Sequence, residues 1–303
     1  MLKKPNFFIV GARKSGTTAL YNYLKLHPDI FMSDLKEPNF FATDFSWRKV
    51  WFDNKIKNYL SLFSKVKNQK AIGEASNTYL SSRTAAKEIK KFAPGARIII
   101  ILRNPIDQMY ASHSQSYYNG EENIMDFEKA LNAEIQRKNE IGGDFKTGKL
   151  FYRDMVAYYK QVKRYSDLFK PEKIHIIIFE EMLKDTNKTY KRLLKFLNVD
   201  DNFKLDFKEI NSNRTKNSNK KPRIWIINYL INRPSKLVRS VGRRYIDKNI
   251  LWYLLNYVKK INTIYEKRTP MPPVLRRKLI KEFTPEIKKL GKLIKKDLSY
   301  WYE

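Results

Sequence analysis

Short runs of apolar, largely β-branched residues recur along the chain, and stretches with apolar residues at helical spacing separate them. Two of the runs, Ile98–Leu102 and Ile174–Phe179, are nearly continuous rather than alternating with polar residues. Continuous runs of this kind are typical of strands buried on both faces of a parallel sheet. The pattern therefore predicts an α/β fold, a P-loop-like doubly wound sheet of about five parallel strands flanked by helices.

The predicted strands are Phe7–Val10, Ile30–Met32, Ala71–Gly73, Arg97–Leu102 and Ile174–Phe179. The predicted helices are Thr17–Leu26, Lys55–Ser64, Ser82–Phe92, Ile106–Tyr118, Phe127–Asn139, Tyr152–Phe169 and Met182–Leu197. Residues 224–303 are also predicted to be helical. We therefore expect an α/β core over residues 1–221 and a basic helical extension over residues 222–303 that packs on it.

Ligands of doubly wound sheets bind beyond the carboxyl ends of the strands. Gly11, Glu74, Arg103 and Glu180 each follow a predicted strand. We expect these four residues to face one crevice.

The composition excludes several kinds of chemistry. The chain contains no cysteine, which rules out disulfides, thiolate catalysis and zinc sites built on cysteine. Its three histidines, His27, His113 and His175, lie far apart and lack the spacing of metal ligands. We therefore expect no metal site.

The formal net charge of +30 suits nucleic acid, an acidic substrate or an anionic membrane. Lysine is spread along the whole chain among many Ile and Asn residues, which indicates a compositional bias more than one dedicated patch. We therefore expect no specific nucleic-acid partner. Residues 224–260 mix Trp, Tyr, Ile and Leu with Arg and Lys, which leaves two interpretations open: helices packed on the core, or a peripheral membrane contact.

The N terminus carries Lys3 and Lys4, but the apolar run that follows is too short for a signal peptide and breaks at Gly11 and Arg13. The sequence contains no apolar stretch of the length that a spanning helix needs. We expect a cytoplasmic protein, with any membrane contact on the inner face.

The first predicted strand runs directly into the loop GARKSGTT at residues 11–18, and a helical pattern follows. A strand, a short loop and a helix direct backbone N–H groups at an anion, so we expect this loop to bind a phosphate-like group. Gly11 and Gly16 have P-loop spacing, but Thr17 stands where a P-loop has lysine, and the lysine here is Lys14. In a group-transfer reaction, a lysine inside the loop would lie nearer to the bond that is broken than the P-loop lysine, which contacts the β and γ phosphates of a nucleotide.

A second anion site is predicted where Arg103 leaves its strand. Pro105 suits the first turn of the next helix, and Ser112 lies two helical turns further along. An arginine fork and a hydroxyl can share a phosphate. The predicted strand ends lack the Asp that organises Mg²⁺ in nucleoside triphosphatases, so the pattern favours a nucleotide with two separate phosphates and a transfer that needs no metal.

The third motif places Lys36 and Glu37 beside Pro38, Phe40 and Phe41. A carboxylate in a partly apolar wall can act as a general base. The alternative is a surface turn with an incidental charge pair.

These three motifs resemble those of the PAPS-dependent sulfotransferases, which transfer a sulfuryl group from 3′-phosphoadenosine 5′-phosphosulfate (PAPS) and release 3′,5′-bisphosphoadenosine (PAP). The resemblance is closer to the bacterial and heparan-sulfate-type branch than to the cytosolic phenol and steroid branch. Similar segments continue in order along nearly the whole chain, at His27–Ile30, Gly73–Ser76, Phe179–Met182, Phe196–Leu197 and Asp297–Trp301.

The resemblance implies a role for each motif. Residues Lys14–Thr18 match the family's 5′-phosphosulfate loop, Arg103, Pro105 and Ser112 match its 3′-phosphate motif, and Glu37 matches its usual general base. The expected catalytic residues are Glu37, Lys14 and Lys36. The expected donor-binding residues are Arg13, Lys14, Ser15, Gly16, Thr17, Thr18, Arg103, Ser112, Arg214, Lys220, Lys221 and Arg223.

The last four of these residues lie in the polar, basic segment 211–223, which is either a linker or an ordered loop that closes over an anion. The heparan-type enzymes often carry a catalytic lysine where this chain has Ala75, and some glycan enzymes carry a histidine where it has Asn39. We hypothesise that Lys36 supplies the missing charge.

The departures leave the acceptor open among a glycan, a glycolipid and a small hydroxylated metabolite, with an amine as the second choice of acceptor group. Two other functions compete with sulfuryl transfer: a metal-dependent P-loop kinase, and a non-enzymatic basic protein that binds nucleic acid or membrane. The sequence does not fix the oligomeric state.

Overall fold

The computed structural model describes residues 3–45, 55–141, 150–207, 210, 218–232 and 248–303. The chain forms two compact units. The first comprises Met1–Gln108, Arg153–Asn211 and Arg277–Glu303, and the second comprises Met109–Tyr152 and Ser212–Arg276. These units are not continuous stretches of chain. The predicted division into a core over residues 1–221 and a helical extension over residues 222–303 is of another kind, because it divides the chain at one point, and it stays a prediction.

A five-stranded parallel sheet forms the centre of the first unit. Its strands are β1 (Phe7–Gly11), β2 (Ile30–Met32), β3 (Ala71–Ala75), β4 (Arg97–Leu102) and β5 (Ile174–Ile178). Their spatial order is β2-β3-β1-β4-β5. Since β1 lies between β3 and β4, the strand order reverses beside β1, which is where α/β sheets of this kind bind ligands. The predicted α/β class is confirmed.

Helices connect the strands and continue beyond them. In chain order they are α1 (Thr17–Lys25), α2 (Ile56–Leu60), α3 (Ala85–Phe92), α4 (Pro105–Tyr118), α5 (Phe127–Ile141), α6 (Tyr152–Met155), α7 (Tyr158–Ser166), α8 (Phe179–Lys184), α9 (Thr186–Leu197), α10 (Trp225–Asn232), α11 (Lys248–Ile261) and α12 (Pro273–Ile294). Short 3₁₀ turns lie at Ser61–Phe63, Pro171–Lys173 and Ser299–Trp301. Among the helices described here, none is both long and apolar enough to cross a bilayer.

Both faces of β1 are buried. Phe7 and Ile9 belong to a buried cluster that includes Leu24 of α1 and Leu193 of α9. Phe8, between Phe7 and Ile9, points to the opposite face of the sheet. There its ring contacts the ring of Phe41 edge-on, with the two centroids 5.8 Å apart. Two covered faces explain why this strand has no alternation of polar and apolar residues.

Gly73 shows how tightly the sheet packs. It pairs with Phe7 across the β1–β3 ladder, and a Cβ at position 73 would overlap the Phe7 ring. Close approach of this kind requires glycine.

The sheet differs from the prediction at one edge. β5 is an outer strand, and Ile174, His175 and Ile176 are only partly buried. The prediction of burial on both faces is therefore wrong for the first half of β5, because an edge strand has a neighbour on one side only. By contrast, Ile98–Leu102 of the inner strand β4 are fully buried.

Two predicted helices are each divided in the structure. The predicted helix Tyr152–Phe169 appears as α6 and α7, and Met182–Leu197 falls within α8 and α9. The second division has a visible cause, since the carboxylate of Asp185 accepts a hydrogen bond of 2.9 Å from the N–H of Lys188 and caps α9. An N-cap residue has non-helical backbone angles, so the chain cannot continue as one helix through it.

The second unit contains a two-stranded antiparallel sheet that the sequence does not predict. β6 (Ser218–Pro222) pairs with β7 (Thr263–Lys267), with Lys220 opposite Tyr265. The described part of the segment 211–223 is therefore largely a strand, although it reads as a polar loop. α10 and α11 confirm the helical prediction for most of the described chain between the two strands.

Candidate active site

The carboxyl ends of the five parallel strands carry the sequence motifs. The loop 12–16 follows β1, Lys36 and Glu37 follow β2, Arg103 follows β4, and Phe179 begins α8 directly after β5. The carboxyl ends of parallel strands lie at one edge of the sheet, so these motifs of the first unit share that edge. Glu74 is different, because it lies inside β3 with a fully buried side chain. The prediction that Glu74 faces the crevice is wrong.

The N terminus of α1 suits an anion. Gly16 is the N-cap residue, no side chain caps the helix within the described chain, and the first turn has no acidic residue. The first N–H groups of a helix have no acceptor within the helix, and they lie at the positive end of the helix dipole. These features are those of a helix N terminus that can receive an anion, which is the role predicted for the N–H groups of Gly16, Thr17 and Thr18.

The backbone of the loop is confined. Gly16 has a φ of 94°, and a Cβ there would lie 2.9 Å from Cε of Met182, so no other residue fits without displacement. Lys14 has a φ of 58°, a left-handed conformation that costs a non-glycine residue on the order of 1 kcal/mol or more. Ser15 and Thr17 are buried, whereas Thr18 is exposed. Strain of this kind persists where surrounding contacts fix the backbone.

Those contacts come from β4 and α4. The N–H of Ala12 donates to the carbonyl of Ile101 at 2.6 Å. The Gln108 amide donates to the Arg13 carbonyl at 2.9 Å, and the Arg103 guanidinium donates to the Lys14 carbonyl at 3.1 Å. Arg103 therefore holds the loop, in addition to the anion-binding role predicted for it.

Gln108 is absent from the sequence-based predictions, since nothing in the sequence distinguishes it from other polar residues of α4. Its side chain is fully buried, and within the described part of the chain Oε1 has no hydrogen-bond partner.

Arg103 is held by an aromatic face. Its guanidinium lies over the ring of Phe179, 5.0 Å from the centroid. The next residue, Asn104, caps α4: its Oδ1 accepts from the N–H of Ile106 at 3.0 Å, and its own N–H donates to the carboxylate of Glu180 at 3.0 Å. Asparagine directly before a helix that begins with proline is an N-cap signal that could have identified Asn104.

Ser112 lies in the second unit, on α4. It is fully buried, and its Oγ has no hydrogen-bond partner among the described residues. Buried hydroxyls nearly always have a partner. An unpartnered hydroxyl at this position fits a residue that binds a ligand oxygen, as predicted for the 3′-phosphate.

Three further predicted residues of the second unit make protein contacts, Lys220 and Lys221 through their side chains and Arg223 through its backbone. The ammonium of Lys220 lies 5.7 Å from the ring centroid of Tyr265. Lys221 forms a 2.8 Å ion pair with Glu266, and the N–H of Arg223 donates to the carbonyl of Asn262 at 2.8 Å. Arg214 lies outside the described residues. A donor-binding role for these four residues stays a prediction.

Glu37 forms the pair that the sequence predicts. Its Oε1 lies 2.6 Å from Nζ of Lys36 and accepts a second hydrogen bond of 2.6 Å from the Asn77 amide. Oε2 has no partner among the described residues, and 35% of the Glu37 side chain is exposed. One oxygen is thus fixed by two contacts, and the other makes none within the described chain. Asn77 is a further residue that the sequence does not point to.

The backbone around Glu37 is left-handed at two non-glycine residues. Glu37 has a φ of 65° and Asn39 a φ of 53°. The N–H of Glu37 donates to the carbonyl of Ala75 at 2.9 Å, and the N–H of Asn39 donates to Oγ of Ser76 at 3.0 Å. The end of β3 and the residue after it therefore hold the loop that carries Glu37.

A buried carboxyl group lies behind this loop. Burial raises the pKa of Glu74 to about 7, against hydrogen bonds from Tyr79, Tyr59 and Ser76 that lower it. The two tyrosine hydroxyls donate to Oε1 at 2.8 Å and 3.0 Å, and the Ser76 hydroxyl donates to Oε2 at 3.1 Å. Ser76 therefore connects Glu74 to the loop of Glu37.

Among the described residues, no three His, Asp or Glu side chains are grouped so that they could hold a metal ion.

Comparisons with known proteins agree on one family. Residues 4–234 match the family model described as the sulfotransferase domain. A crystal structure of a sulfotransferase from Alicyclobacillus acidocaldarius is 27% identical, with a TM-score of 0.72, and the match covers 99% of this chain and 100% of that one.

Two curated relatives match this chain over only part of their own lengths. The bifunctional heparan sulfate N-deacetylase/N-sulfotransferase 3 of Homo sapiens is 26% identical over 91% of this chain, which spans 32% of that protein. The membrane-associated sulfotransferase kil1 of Dictyostelium discoideum is 33% identical over 37% of this chain and 23% of its own length. The chain thus spans a third or less of either curated relative.

The buried carboxyl group makes the stability depend on pH. The raised pKa of Glu74 means that the folded state keeps this proton to higher pH than the unfolded chain does. Its protonation therefore stabilises the fold below about pH 4.5, and this contribution is lost as the pH rises toward 7. The free energy of unfolding of the wild type should therefore decrease between pH 4.5 and 7. In Glu74→Gln we expect this decrease to be smaller by on the order of 2–3 kcal/mol.

Urea denaturation of wild type and Glu74→Gln across this pH range measures the difference. Burial lowers the pKa of His113 and lowers that of His175 to about 4. These two histidines make the free energy of unfolding rise with pH, and they do so equally in wild type and Glu74→Gln. The exposed Glu172→Gln is the matched control and should keep the wild-type profile. Parallel profiles for wild type and Glu74→Gln would contradict the assignment.

Proposed function

Because this chain belongs to the sulfotransferase family, we propose that it transfers a sulfuryl group from PAPS to a hydroxyl group of a carbohydrate or glycolipid. The observation that carries the proposal is the loop 12–16, whose carbonyl groups are held by Gln108 and Arg103 while the N terminus of α1 lacks a side-chain cap. This loop is built to receive an anion at a fixed place. An amine is the second choice of acceptor group.

The predicted donor-binding residues fit a nucleotide with two phosphates. The N–H groups of Gly16, Thr17 and Thr18 would bind the 5′-phosphate, and Lys14 would neutralise negative charge on the oxygen that bridges phosphorus and sulfur. Arg103 would bind the 3′-phosphate with the donors not used on the Lys14 carbonyl. The unpartnered hydroxyl of Ser112 supports the same role.

Glu37 is proposed as the general base. Its Oε2 takes the proton of the acceptor hydroxyl as the acceptor oxygen forms a bond to sulfur. The bond from sulfur to the bridging oxygen breaks, and its electron pair stays on PAP. Lys36 and Asn77 hold Oε1, which fixes the orientation of the carboxylate during proton transfer.

The acceptor class rests on two arguments. The heparan sulfate N-sulfotransferase relative is named for action on a carbohydrate, and this chain shares with that branch the Lys-Glu motif at residues 36 and 37. Ala75 replaces the lysine of that branch, and its side chain is buried. The contact between Lys36 and the Glu37 carboxylate supports Lys36 as the source of the charge. A cytoplasmic location and a metal-independent transfer remain parts of the proposal.

A transfer screen with labelled PAPS tests the function. We expect label to reach a hydroxylated saccharide or glycolipid, and Lys14→Ala to lower the rate by about 100-fold or more, because the leaving oxygen loses its cation. The exposed Lys91→Ala serves as the matched control and should transfer at the wild-type rate. Turnover of ATP with a Mg²⁺ requirement, and none of PAPS, would instead identify a kinase.

Replacement of the base should affect turnover rather than donor binding. Glu37→Gln keeps the size of the side chain and removes the proton acceptor, so we expect kcat to fall by about 100-fold or more with PAP affinity unchanged. Steady-state kinetics on the acceptor found in the screen measures this, with Glu172→Gln as the control. A kcat near that of wild type would remove Glu37 from the base role.

Arg103 should affect donor affinity. In calorimetry with PAP, we expect Arg103→Ala to weaken binding by about tenfold or more, because charged hydrogen bonds to phosphate are lost. The PAP affinity of Arg103→Lys should lie between those of Arg103→Ala and wild type, because lysine keeps the charge but cannot form two parallel hydrogen bonds to one phosphate. The exposed Arg192→Ala should bind PAP as wild type does. Equal affinity of Arg103→Ala and wild type would contradict the site.

A further inference from the structure

Two helices of the second unit expose their apolar side chains. On α10, Ile226 and Leu230 are 59% and 57% exposed, and Ile224 just before the helix is 53% exposed. On α11, every residue from Tyr253 to Val258 is exposed, and so is Ile261. Most large apolar residues of a folded domain are covered, so exposed ones grouped on neighbouring helices indicate a contact surface.

The exposed apolar residues of α11 include two rows that follow the helical period. Tyr253, Tyr257 and Ile261 recur every four residues, and Leu254 and Val258 form a parallel row beside them. Residues four apart lie on one side of a helix. Since Leu255 and Asn256 are exposed as well, this part of α11 is exposed on all sides within the described chain, and neither row of this apolar stripe packs on a core.

Two asparagines near the exposed apolar residues are buried. Asn228 of α10 is fully buried and donates to the carbonyl of Tyr118 at 2.8 Å. Asn262, the residue after α11, is 5% exposed and donates to the Asn228 side chain at 2.9 Å and to the Ile224 carbonyl at 3.0 Å. These bonds attach the residue after α11 to α10, and α10 to Tyr118 of α4, so two asparagines and not the exposed apolar residues make these buried contacts.

Basic residues accompany the apolar ones. Neither α10 nor α11 contains Asp or Glu. Lys260 lies at the end of the α11 stripe and Arg223 lies just before α10, and both are exposed. Tyrosine and lysine beside apolar residues are the combination that lies at the boundary between lipid headgroups and acyl chains.

We propose that these residues form a surface that binds the protein peripherally to an anionic lipid membrane. The apolar surface consists of Ile224, Ile226, Leu230, Tyr253, Leu254, Tyr257, Val258 and Ile261. Its apolar side chains enter the headgroup region, while Lys260 and Arg223 contact anionic headgroups. A second copy of this chain is the weaker candidate, because two chains that each carry a net charge of +30 repel one another.

Vesicle co-sedimentation of the full chain tests the proposal. We expect binding to phosphatidylcholine vesicles that contain about 30% phosphatidylglycerol, and much weaker binding to phosphatidylcholine alone or at high salt. The double variant Tyr253→Ala/Tyr257→Ala should bind the anionic vesicles about tenfold or more weakly. Lys260→Glu should weaken binding to the anionic vesicles and leave binding to neutral vesicles unchanged.

The matched control is Met125→Ala/Ile135→Ala, which removes two exposed apolar side chains outside the apolar surface and should bind as wild type does. Circular dichroism should give the same melting temperature for both double variants. Absence of binding to anionic vesicles, or equal binding by the tyrosine variant, would overturn the proposal. So would dimerisation in sedimentation velocity that the tyrosine variant abolishes, which would assign the surface to a second copy.

Discussion

The position of β1 between β3 and β4 is the constraint on which the site depends. The carbonyl of Ile9 accepts from the N–H of Ser76 at 3.0 Å, and that of Val10 accepts from the N–H of Leu80 at 2.7 Å. The segment after β3 is therefore bonded to the last residues of β1, immediately before the anion loop begins. A shift of β1 by one residue would exchange its two buried faces, which the packing of Phe7 over Gly73 forbids.

Ser76 connects β1 and β3 to the loop that carries the proposed base, Glu37. Its N–H binds β1, its hydroxyl donates to the buried Glu74, and its Oγ accepts the N–H of Asn39. The loop of Glu37 needs such support, because left-handed conformations at Glu37 and Asn39 cost on the order of 1–3 kcal/mol each. Without these bonds the loop would relax, and the carboxylate would lose its fixed place.

The sequence predicts the parts of this arrangement that depend on local pattern. Short apolar runs locate all five strands of the sheet, although the third run stops at Gly73 and β3 continues to Ala75. The two glycines between strand and helix predict the anion loop. Asn77 and Gln108 are not predictable, because each acts through a hydrogen bond to a residue far away in the chain. The same holds for β6 and β7, whose pairing joins Lys220 to Tyr265, and for Glu74, whose burial follows from its position inside β3.

In the proposed function, donor and acceptor recognition depend on different parts of the chain. The predicted donor loop presents backbone N–H groups, and its form depends on Gly16, where a Cβ would lie 2.9 Å from Cε of Met182. The surroundings of the base depend on side chains. Ala75 is 1% exposed at the end of β3, so a long side chain there would have to displace buried neighbours. The lysine beside the carboxylate instead comes from Lys36 on the loop, where 21% of its side chain is exposed. The cation beside Glu37 is therefore supplied from the loop, whereas the residues that follow β3, Ser76 and Asn77, hold that loop through hydrogen bonds to Asn39 and Glu37.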